Sequence, residues 1–367
     1  KYLNACVSAS ETFMNESGYT LYKSGSTPYR DLFASINLQA DEVIFGRDYE
    51  ASLSVLHNVQ NYENSTTMGR PGMNKKIVNS YLMADGSRFT DKAGYETMTF
   101  DQECQNRDPR LAQTIRTPGY TRIGSTKKEA PNLAYTMTGY HLIKYSMTAN
   151  YDEYNKSCND IPLFRTAEVY LNFAEAKAEL GTLKQADINK SIKLLRDRVG
   201  MTNLDMELAN SKPDPYLMSA ATGYPNVKGA NQGVILEIRR ERTIELAMEG
   251  FRYYDIMRWK EGKLFENDLL GIYVPGPGTY DLDKDGTDDV CFYVGTKPAG
   301  NVPLYLEIGE QIRLSNGESG YIICHSLITK KWNEDRDYLY PVPISERTLS
   351  NGVITQNPGW NDGLNFN

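Results

Sequence analysis

An acidic run near the end of the chain has residue types and spacing suited to binding a hard cation. Residues 281–289 read Asp-Leu-Asp-Lys-Asp-Gly-Thr-Asp-Asp, a D-x-D-x-D-G pattern with five acidic residues in nine. Alternate carboxylates curl around a cation where a glycine allows the sharp turn, and the carbonyl oxygen of Thr287 would add a further ligand. Without a cation, these like charges would repel one another. The pattern therefore predicts a structural Ca²⁺ bound by Asp281, Asp283, Asp285 and Asp289.

The run departs from the helix–loop–helix calcium motif in two respects. That motif has a bidentate glutamate at its twelfth position, where this chain has Phe292. The run is also followed by a predicted strand, Val290 to Val294, instead of a helix. A solvated Asp-Gly turn is therefore the alternative interpretation. A bound cation would serve to fix the loop that precedes the strand.

Residue types that could catalyse a reaction occur without a catalytic pattern. Glu241 and Glu245 could form an acid–base pair, but Arg239, Arg240 and Arg242 lie beside them. A salt-bridged helix face is the simpler interpretation. The three histidines and five cysteines are scattered, with no C-x-x-C pair and no zinc-type spacing. The sequence therefore contains no local motif for an enzyme.

The overall charge argues against a nucleic-acid-binding protein. The 367 residues include 40 Lys and Arg against 47 Asp and Glu, a net charge of -7, so a basic phosphate-tracking surface is not expected. The longest apolar run, Val290 to Val294, is far shorter than the ~20 residues that span a bilayer. The length predicts about two domains, or one large domain with insertions.

The strongest helical periodicity lies in the middle of the chain. Apolar residues recur from Leu163 to Ala178, with Pro162 suited to the first turn and Gly181 to the end of the helix. A second apolar ladder runs from residue 188 to 199 and ends at Gly200. Together they predict an antiparallel helical hairpin close to one tetratricopeptide unit.

The flanking segments show weaker patterns. Segments 234–248 and 251–261 predict charged helices, with opposite charges three residues apart at Glu237/Arg240, Arg242/Glu245, Arg252/Asp255 and Asp255/Arg258. Strands are predicted at 290–294 and 321–324, and a turn at 315–317. Segments 1–22 and 29–45 have a helical pattern. Most of 60–135 is rich in Gly, Asn, Pro and Thr, which is typical of binding loops laid over a scaffold.

Several stretches, taken in order, resemble the SusD/RagB family of surface glycan-capture lipoproteins. The resemblance extends over nearly the whole chain, and it rests on the order and spacing of short motifs that are modest one by one. The motifs are Met73-Asn74-Lys75-Lys76, Ser80-Tyr81-Leu82-Met83-Ala84-Asp85-Gly86, Asn106-Arg107-Asp108-Pro109-Arg110-Leu111, Thr138-Gly139-Tyr140 with Lys144-Tyr145, Arg165-Thr166-Ala167-Glu168, Arg239-Arg240-Glu241-Arg242 to Arg258-Trp259, Tyr340-Pro341-Val342-Pro343 and Gln356-Asn357-Pro358-Gly359-Trp360.

The resemblance implies a mainly α fold: a tetratricopeptide-like helical scaffold with long loops and a few short β-strands. It also implies a non-catalytic protein that binds oligosaccharide or polysaccharide at the cell surface and delivers it to a SusC-like TonB-dependent outer-membrane transporter. Such proteins are held in the outer membrane through a lipidated cysteine, and they carry further N-terminal helices. Neither that anchor nor those helices occur in the printed sequence.

The resemblance also points to a ligand loop. Family members place part of their binding surface in loops before the helical hairpin, and the matching segment here is 117–140. Sugars offer C–H faces for ring stacking and a rim of hydroxyls for hydrogen bonds. Tyr120, Arg122, Asn132 and Tyr135 are therefore the predicted ligand-binding residues. The alternative is that the two tyrosines only pack this loop onto the scaffold.

We expect three regions: residues 1–160 with helices and ligand loops, 161–262 with the hairpin and charged helices, and 263–367 with short strands and the acidic loop. Two other functions stay open. One is a calcium-dependent glycan-cleaving enzyme, for which no carboxylate-pair motif is found. The other is a helical protein-interaction scaffold, for which a single hairpin is thin support.

Overall fold

The structure, a computed structural model, describes residues 1–366. Its α-helices are α1 (Tyr2–Glu16), α2 (Pro28–Ala34), α3 (Val59–Glu63), α4 (Lys75–Ser80), α5 (Phe100–Glu103), α6 (Pro109–Ala112), α7 (Thr166–Glu179), α8 (Gln185–Asn189), α9 (Ile192–Arg198), α10 (Met206–Ser211), α11 (Pro215–Met218), α12 (Gln232–Glu245), α13 (Arg252–Arg258) and α14 (Ile344–Leu349). Its strands are β1 (Val43–Arg47), β2 (Ile161–Arg165), β3 (Leu269–Val274), β4 (Gly278–Tyr280), β5 (Val290–Tyr293), β6 (Leu304–Glu307) and β7 (Gly320–Cys324). The predicted mainly α fold with short strands is confirmed.

The central helix α7 contacts both α1 and α12. Its small residues Ala167, Ala174 and Ala178 are buried, which lets the neighbouring helices approach closely. The apolar residues of these helices, together with those of α9 and α10, form one core. This arrangement is the predicted helical scaffold.

The helical hairpin differs from its prediction at two points. Pro162 and Leu163 belong to strand β2, so α7 begins only at Thr166. The apolar pattern was misleading there because Leu163 is exposed, and pairing with β1 sets the local backbone. The second helix is interrupted between α8 and α9, where Ser191 takes a non-helical conformation. Gly181 and Gly200, both with positive φ, end the two arms as predicted.

Three small sheets hold the loops in place. Strand β1 pairs antiparallel with β2, and β3 with β7. In the third sheet, β5 lies in the centre, antiparallel to β4 and parallel to β6. The strands predicted at 290–294 and 321–324 are confirmed as β5 and β7, whereas the helix predicted over 29–45 ends at Ala34 and is followed by β1.

A second core joins the loop-rich parts of the chain. It combines residues of the segment 73–142 with residues of the segment 272–324. The expected division into three regions is not tested by this packing and stays a prediction. No helix among residues 1–366 has the length and apolar character needed to cross a membrane.

The charged helix α12 is buried along its whole length from Gly233 to Glu245. Two of the predicted pairs are present, Glu237 with Arg240 and Asp255 with Arg258. The other two are wrong, because Arg242 reaches Asp255 and Glu245 is surrounded by arginines from other segments. The charges of this helix therefore face the protein interior and not solvent.

Candidate functional site

A cavity of about 460 Å³ lies between two loops that are distant in sequence. We call it the Asp-loop cavity. One wall is formed by residues 127–134, and the other by Asp283, Asp285, residues 287–290 and the start of β6. Strand β5 begins at the floor of the cavity with the buried Val290. The predicted ligand loop and the predicted cation loop thus contribute to the same cavity.

The acidic wall is a compact turn. Oxygen atoms of Asp281, Asp283 and Asp285 lie within 4.8 Å of one another. The backbone N–H of Gly286 donates to Asp281 Oδ2 at 2.9 Å, and that of Thr287 donates to Asp285 Oδ1 at 2.8 Å. Gly286 has a φ of 93°, a left-handed conformation that favours glycine. The turn therefore folds the alternate carboxylates towards one point, as the spacing predicted.

Asp289 lies outside this group of three. Its Oδ2 accepts a hydrogen bond of 2.8 Å from the backbone N–H of Leu282, which closes the base of the loop. Burial raises the pKa of Asp289 to about 6, and the negative charges of Asp283, Asp281 and Asp285 add to this effect. The structure thus brings together three of the four predicted ligands and gives the fourth a different position.

The three grouped carboxylates fit a hard cation. They supply only oxygen ligands, which Ca²⁺ prefers. Asp283 is buried, and burial together with the neighbouring charges of Asp285 and Asp281 raises its pKa. A cation bound among them would remove this repulsion. Asp281, Asp283 and Asp285 are the residues that would hold it.

The opposite wall places one predicted ligand residue at the cavity. Asn132 lines it. Its Oδ1 accepts a hydrogen bond of 2.8 Å from the backbone N–H of Ala134, and its backbone N–H donates to His141 Nδ1 at 3.2 Å. Among residues 1–366, no acceptor is bonded to the Asn132 amide nitrogen. A rigidly held amide therefore keeps two donors for a ligand.

Tyr120 does not present the exposed ring that sugar stacking needs. Its side chain is buried, with the guanidinium carbons of Arg30 and Arg116 at 5.1 and 5.3 Å from the ring centroid. Arg30 also donates to the Tyr120 hydroxyl at 3.3 Å. This packing agrees with the alternative interpretation, in which the ring holds the loop on the scaffold, and a role in ligand binding stays a prediction.

Arg122 is buried as well. It donates to Asp152 Oδ2 at 2.9 Å and to Asn64 Oδ1 at 3.0 Å. These partners use its guanidinium inside the protein. The prediction failed to foresee this because Asp152 and Asn64 are 30 and 58 residues away in sequence, a separation at which a local pattern carries no information.

Tyr135 takes an intermediate position. It is half-buried, and its ring meets the His141 ring edge-on at a centroid distance of 5.8 Å. It is not part of the lining of the Asp-loop cavity, although Asn132 and Ala134 are. Its role in ligand binding stays a prediction.

The match to a family model decides the classification of this fold. The model of the SusD family matches residues 32–360. The chain belongs to the SusD family. A comparison with curated proteins found no match.

Solved structures of SusD-like proteins share the fold. A SusD-like carbohydrate-binding protein from Bacteroides fragilis is 20% identical, with a TM-score of 0.58, over 95% of this chain and 60% of the other. A second SusD-like protein from the same species is also 20% identical, with a TM-score of 0.60, over 98% of this chain and 65% of the other. This SusD-family chain thus spans somewhat less than two thirds of the length of these two proteins.

Sequence reasoning missed several residues at the cavity of this SusD-family protein. Lys127 and Lys128 are exposed and line it, and Arg116 also lines it, paired with Glu129 at 3.0 Å. The only sequence signal was the charged triplet Lys127-Lys128-Glu129 within a Gly- and Pro-rich loop. The cavity thus combines cationic, anionic and amide groups.

Glu241 and Glu245 do not form an exposed acid–base pair. Arg110 Nη1 donates to Glu241 Oε1 at 2.5 Å and to Glu245 Oε2 at 3.1 Å, and all three side chains are buried. Arg110 holds the pKa of Glu241 below its ordinary value, although burial acts in the opposite direction. The salt-bridged interpretation is correct for these residues.

Proposed function

We propose that this SusD-family chain binds oligosaccharide or polysaccharide without cleaving it, and that the Asp-loop cavity is a contact site for the glycan. The observation that carries the proposal is that two loops distant in sequence line a single cavity. The family resemblance predicted one of them as a ligand loop, and the spacing of its aspartates predicted the other as a cation loop. The name of a structural relative, a carbohydrate-binding protein, supports the ligand class.

The chemistry of the cavity suits hydroxyl-rich ligands. A sugar hydroxyl both donates and accepts, so it pairs with carboxylates, amides and ammonium groups alike. Asp283 and Asp285 accept, Lys127 and Lys128 donate, and the Asn132 amide offers two further donors. Such a mixed lining places partners around a sugar ring without requiring a charged ligand.

We also propose that Asp281, Asp283 and Asp285 hold a Ca²⁺ ion in a structural role. The ion would neutralise the converging carboxylates and stiffen the loop that precedes β5. A stiffer wall lowers the entropy lost when a ligand is bound. The proposal assigns no step of a reaction to the cation.

The wider setting is likewise proposed from family membership. Delivery of the glycan to a SusC-like TonB-dependent transporter, and a position on the outer-membrane surface as a lipoprotein, are features of the resemblance described above. The net charge of -7 argues against a nucleic-acid partner.

One observation favours a second candidate, a glycan-cleaving enzyme. The pKa of Asp289 is raised to about 6 beside other carboxylates, and a glycosidase uses a carboxyl group with a raised pKa as its acid. An Asp289→Asn variant would then lose hydrolysis while keeping retention of the polymer.

Affinity electrophoresis tests these functions together. The purified chain is run in gels that contain starch, xylan, galactan, mannan or polygalacturonate, and reducing ends are assayed in parallel. We expect retardation by at least one polymer and no new reducing ends. New reducing ends would establish the enzyme instead. Unaltered mobility in every gel would contradict glycan binding and favour the interaction scaffold.

A further inference from the structure

A second cavity, of about 440 Å³, lies next to the first one. We call it the arginine cavity. Its apolar wall comes from strands β6 and β7 and the segments beside them, with Leu306, Ile312 and Ile322. Arg70 and Arg313 provide its cationic groups. The buried residue Leu133 lines both cavities.

The two arginines of this cavity lack acidic partners. Within residues 1–366, no carboxylate oxygen lies within 4.0 Å of a nitrogen atom of Arg70 or Arg313, whereas the arginines packed around α12 are paired with carboxylates. Arg70 Nη2 donates to the carbonyl oxygen of Leu133 at 2.5 Å, while its Nε is buried without a partner. The guanidinium of Arg70 is thus oriented by the loop but not neutralised.

The remaining polar groups of the arginine cavity leave a positive balance. Glu310 is the one carboxylate in the lining, against the two guanidiniums. Gln311, His325 and Ser326 add polar atoms. In a chain with a net charge of -7, this local excess of positive charge is specific to the arginine cavity and not a property of the whole surface.

We infer that the arginine cavity binds an anionic sugar unit, one that carries a carboxylate or a sulfate, so that the glycan is acidic. The guanidinium fork matches the planar carboxylate and the sulfate oxygens with paired hydrogen bonds. The apolar wall accepts the C–H face of the same sugar. The inference rests on the proposed function, because it names the class of glycan that the chain takes.

The adjacency of the two cavities supports this assignment. A polysaccharide that reaches both cavities would place one unit against Asn132 and the acidic loop and another unit against Arg70 and Arg313. Charged units would be attracted by Arg70 and Arg313, while units without a charge would fit the mixed lining of the Asp-loop cavity. The two cavities would then bind a charged and an uncharged unit of the same polymer.

Matched polymers that differ only in charge test the inference. We would compare retention in gels with polygalacturonate and with its fully methyl-esterified form, and with dextran sulfate and dextran. These pairs separate carboxylate from sulfate recognition. We expect at least one charged polymer to bind fivefold or more tightly than its neutral counterpart, with the difference shrinking as NaCl is added.

Variants locate the effect in the arginine cavity. Arg313 is exposed, so Arg313→Gln should fold and should lower retention of the charged polymer at least threefold. Glu310→Gln, which removes the one opposing charge, should raise retention. The matched control is Arg47→Gln, an exposed arginine on β1 that does not line the cavity, and it should leave retention unchanged.

The outcomes separate this inference from the function on which it rests. Equal retention of charged and neutral polymers would contradict the inference of an acidic glycan, while the proposed glycan-binding function would still hold. The same holds if Arg47→Gln weakens retention as much as Arg313→Gln, since the effect would then be general charge. No retention of any polymer would overturn the proposed function and the inference with it.

Discussion

Arg165, at the end of β2, and Glu245, at the end of α12, form a buried ion pair with 2.7 Å between Nη1 and Oε1. Arg198 and Arg110 contact the same carboxylate. Arg165 in turn reaches Glu42 and Glu249. This network ties the strand pair β1–β2 to helix α12, and it gives the signature motifs a structural role.

Replacing the central carboxylate should destabilise the fold strongly. Glu245→Gln leaves three guanidiniums without their shared anion, and we expect the free energy of unfolding to fall by about 3–5 kcal/mol. The arginines lower the pKa of Glu245 in the folded protein. The contribution of Glu245 to the free energy of unfolding is therefore complete above its ordinary pKa of 4.5. It is lost as the pH falls towards the lower pKa that Glu245 has in the folded protein. Urea unfolding at pH 7 measures the difference, and the exposed Glu346→Gln is the control.

Glu63 should show the opposite pH dependence. Burial raises its pKa to about 7 from 4.5, and the Ser146 hydroxyl donates to it at 2.6 Å. The folded state therefore holds a proton that the unfolded state releases, so the stability of the wild type falls as pH rises from 4.5 to 7.

Glu63→Gln removes that titration and keeps an acceptor for Ser146. We expect the variant and the wild type to be alike near pH 4, and the variant to be more stable by about 3 kcal/mol at pH 8. Denaturant melts across this range provide the measurement, with the exposed Glu16→Gln as the matched control. A constant difference between variant and wild type at all pH values would contradict the expectation.

Calcium should stabilise the chelated protein if the acidic loop binds it. Free Ca²⁺ at 100 times its dissociation constant adds about 2.7 kcal/mol to the free energy of unfolding, and calorimetry should show a heat of binding. Asp283→Asn should abolish both effects. The exposed neighbour Asp288, which is outside the group of three, provides the control variant Asp288→Asn. No heat and no rise in melting temperature for the wild type would remove the calcium proposal.

Removing the amide donors of Asn132 should weaken glycan retention. Asn132→Ser keeps a short acceptor for the Ala134 N–H but loses the amide donors, so we expect an affinity loss of about 5- to 20-fold, equivalent to about 1–2 kcal/mol. Asn15→Ser, on the exposed side of α1, should have no effect. Equal retention by both variants in affinity electrophoresis would exclude Asn132 from the binding surface.

Tyr135 is tested in the same gels. Tyr135→Ala removes a half-buried ring, and a role in stacking predicts weaker retention with a melting temperature close to that of the wild type. Tyr154, which is exposed, provides the control Tyr154→Ala. Parallel losses of retention and melting temperature would assign Tyr135 to packing against His141.

Sequence patterns predicted those structural features that depend on residues close together in the chain. The helical period gave α7 and its end at Gly181, and the alternating aspartates gave a turn in which three carboxylates converge. Both features depend on residues within a few positions of one another. The start of α7 could not be found in the same way, because the partner strand β1 lies more than 100 residues earlier in the chain.

The burial of Tyr120 and Arg122 shows that the composition of a loop does not predict which of its side chains are exposed. A tyrosine in a Gly- and Pro-rich loop has the same local sequence whether its ring faces solvent or two arginines. Arg30 and Arg116, which enclose the ring, come from other segments. Motif order identified the family, whereas the cavities emerged only from the three-dimensional arrangement.

The ion network around Glu245 has a consequence for how the chain is made. Glu42 and Arg165 are separated by 123 positions, and Arg165 and Glu245 by a further 80. During synthesis, the earlier two side chains leave the ribosome and stay hydrated until α12 follows them. The interior around α12 is thus completed only after about two thirds of the chain has been made, because its ion-pair partners lie far apart in sequence.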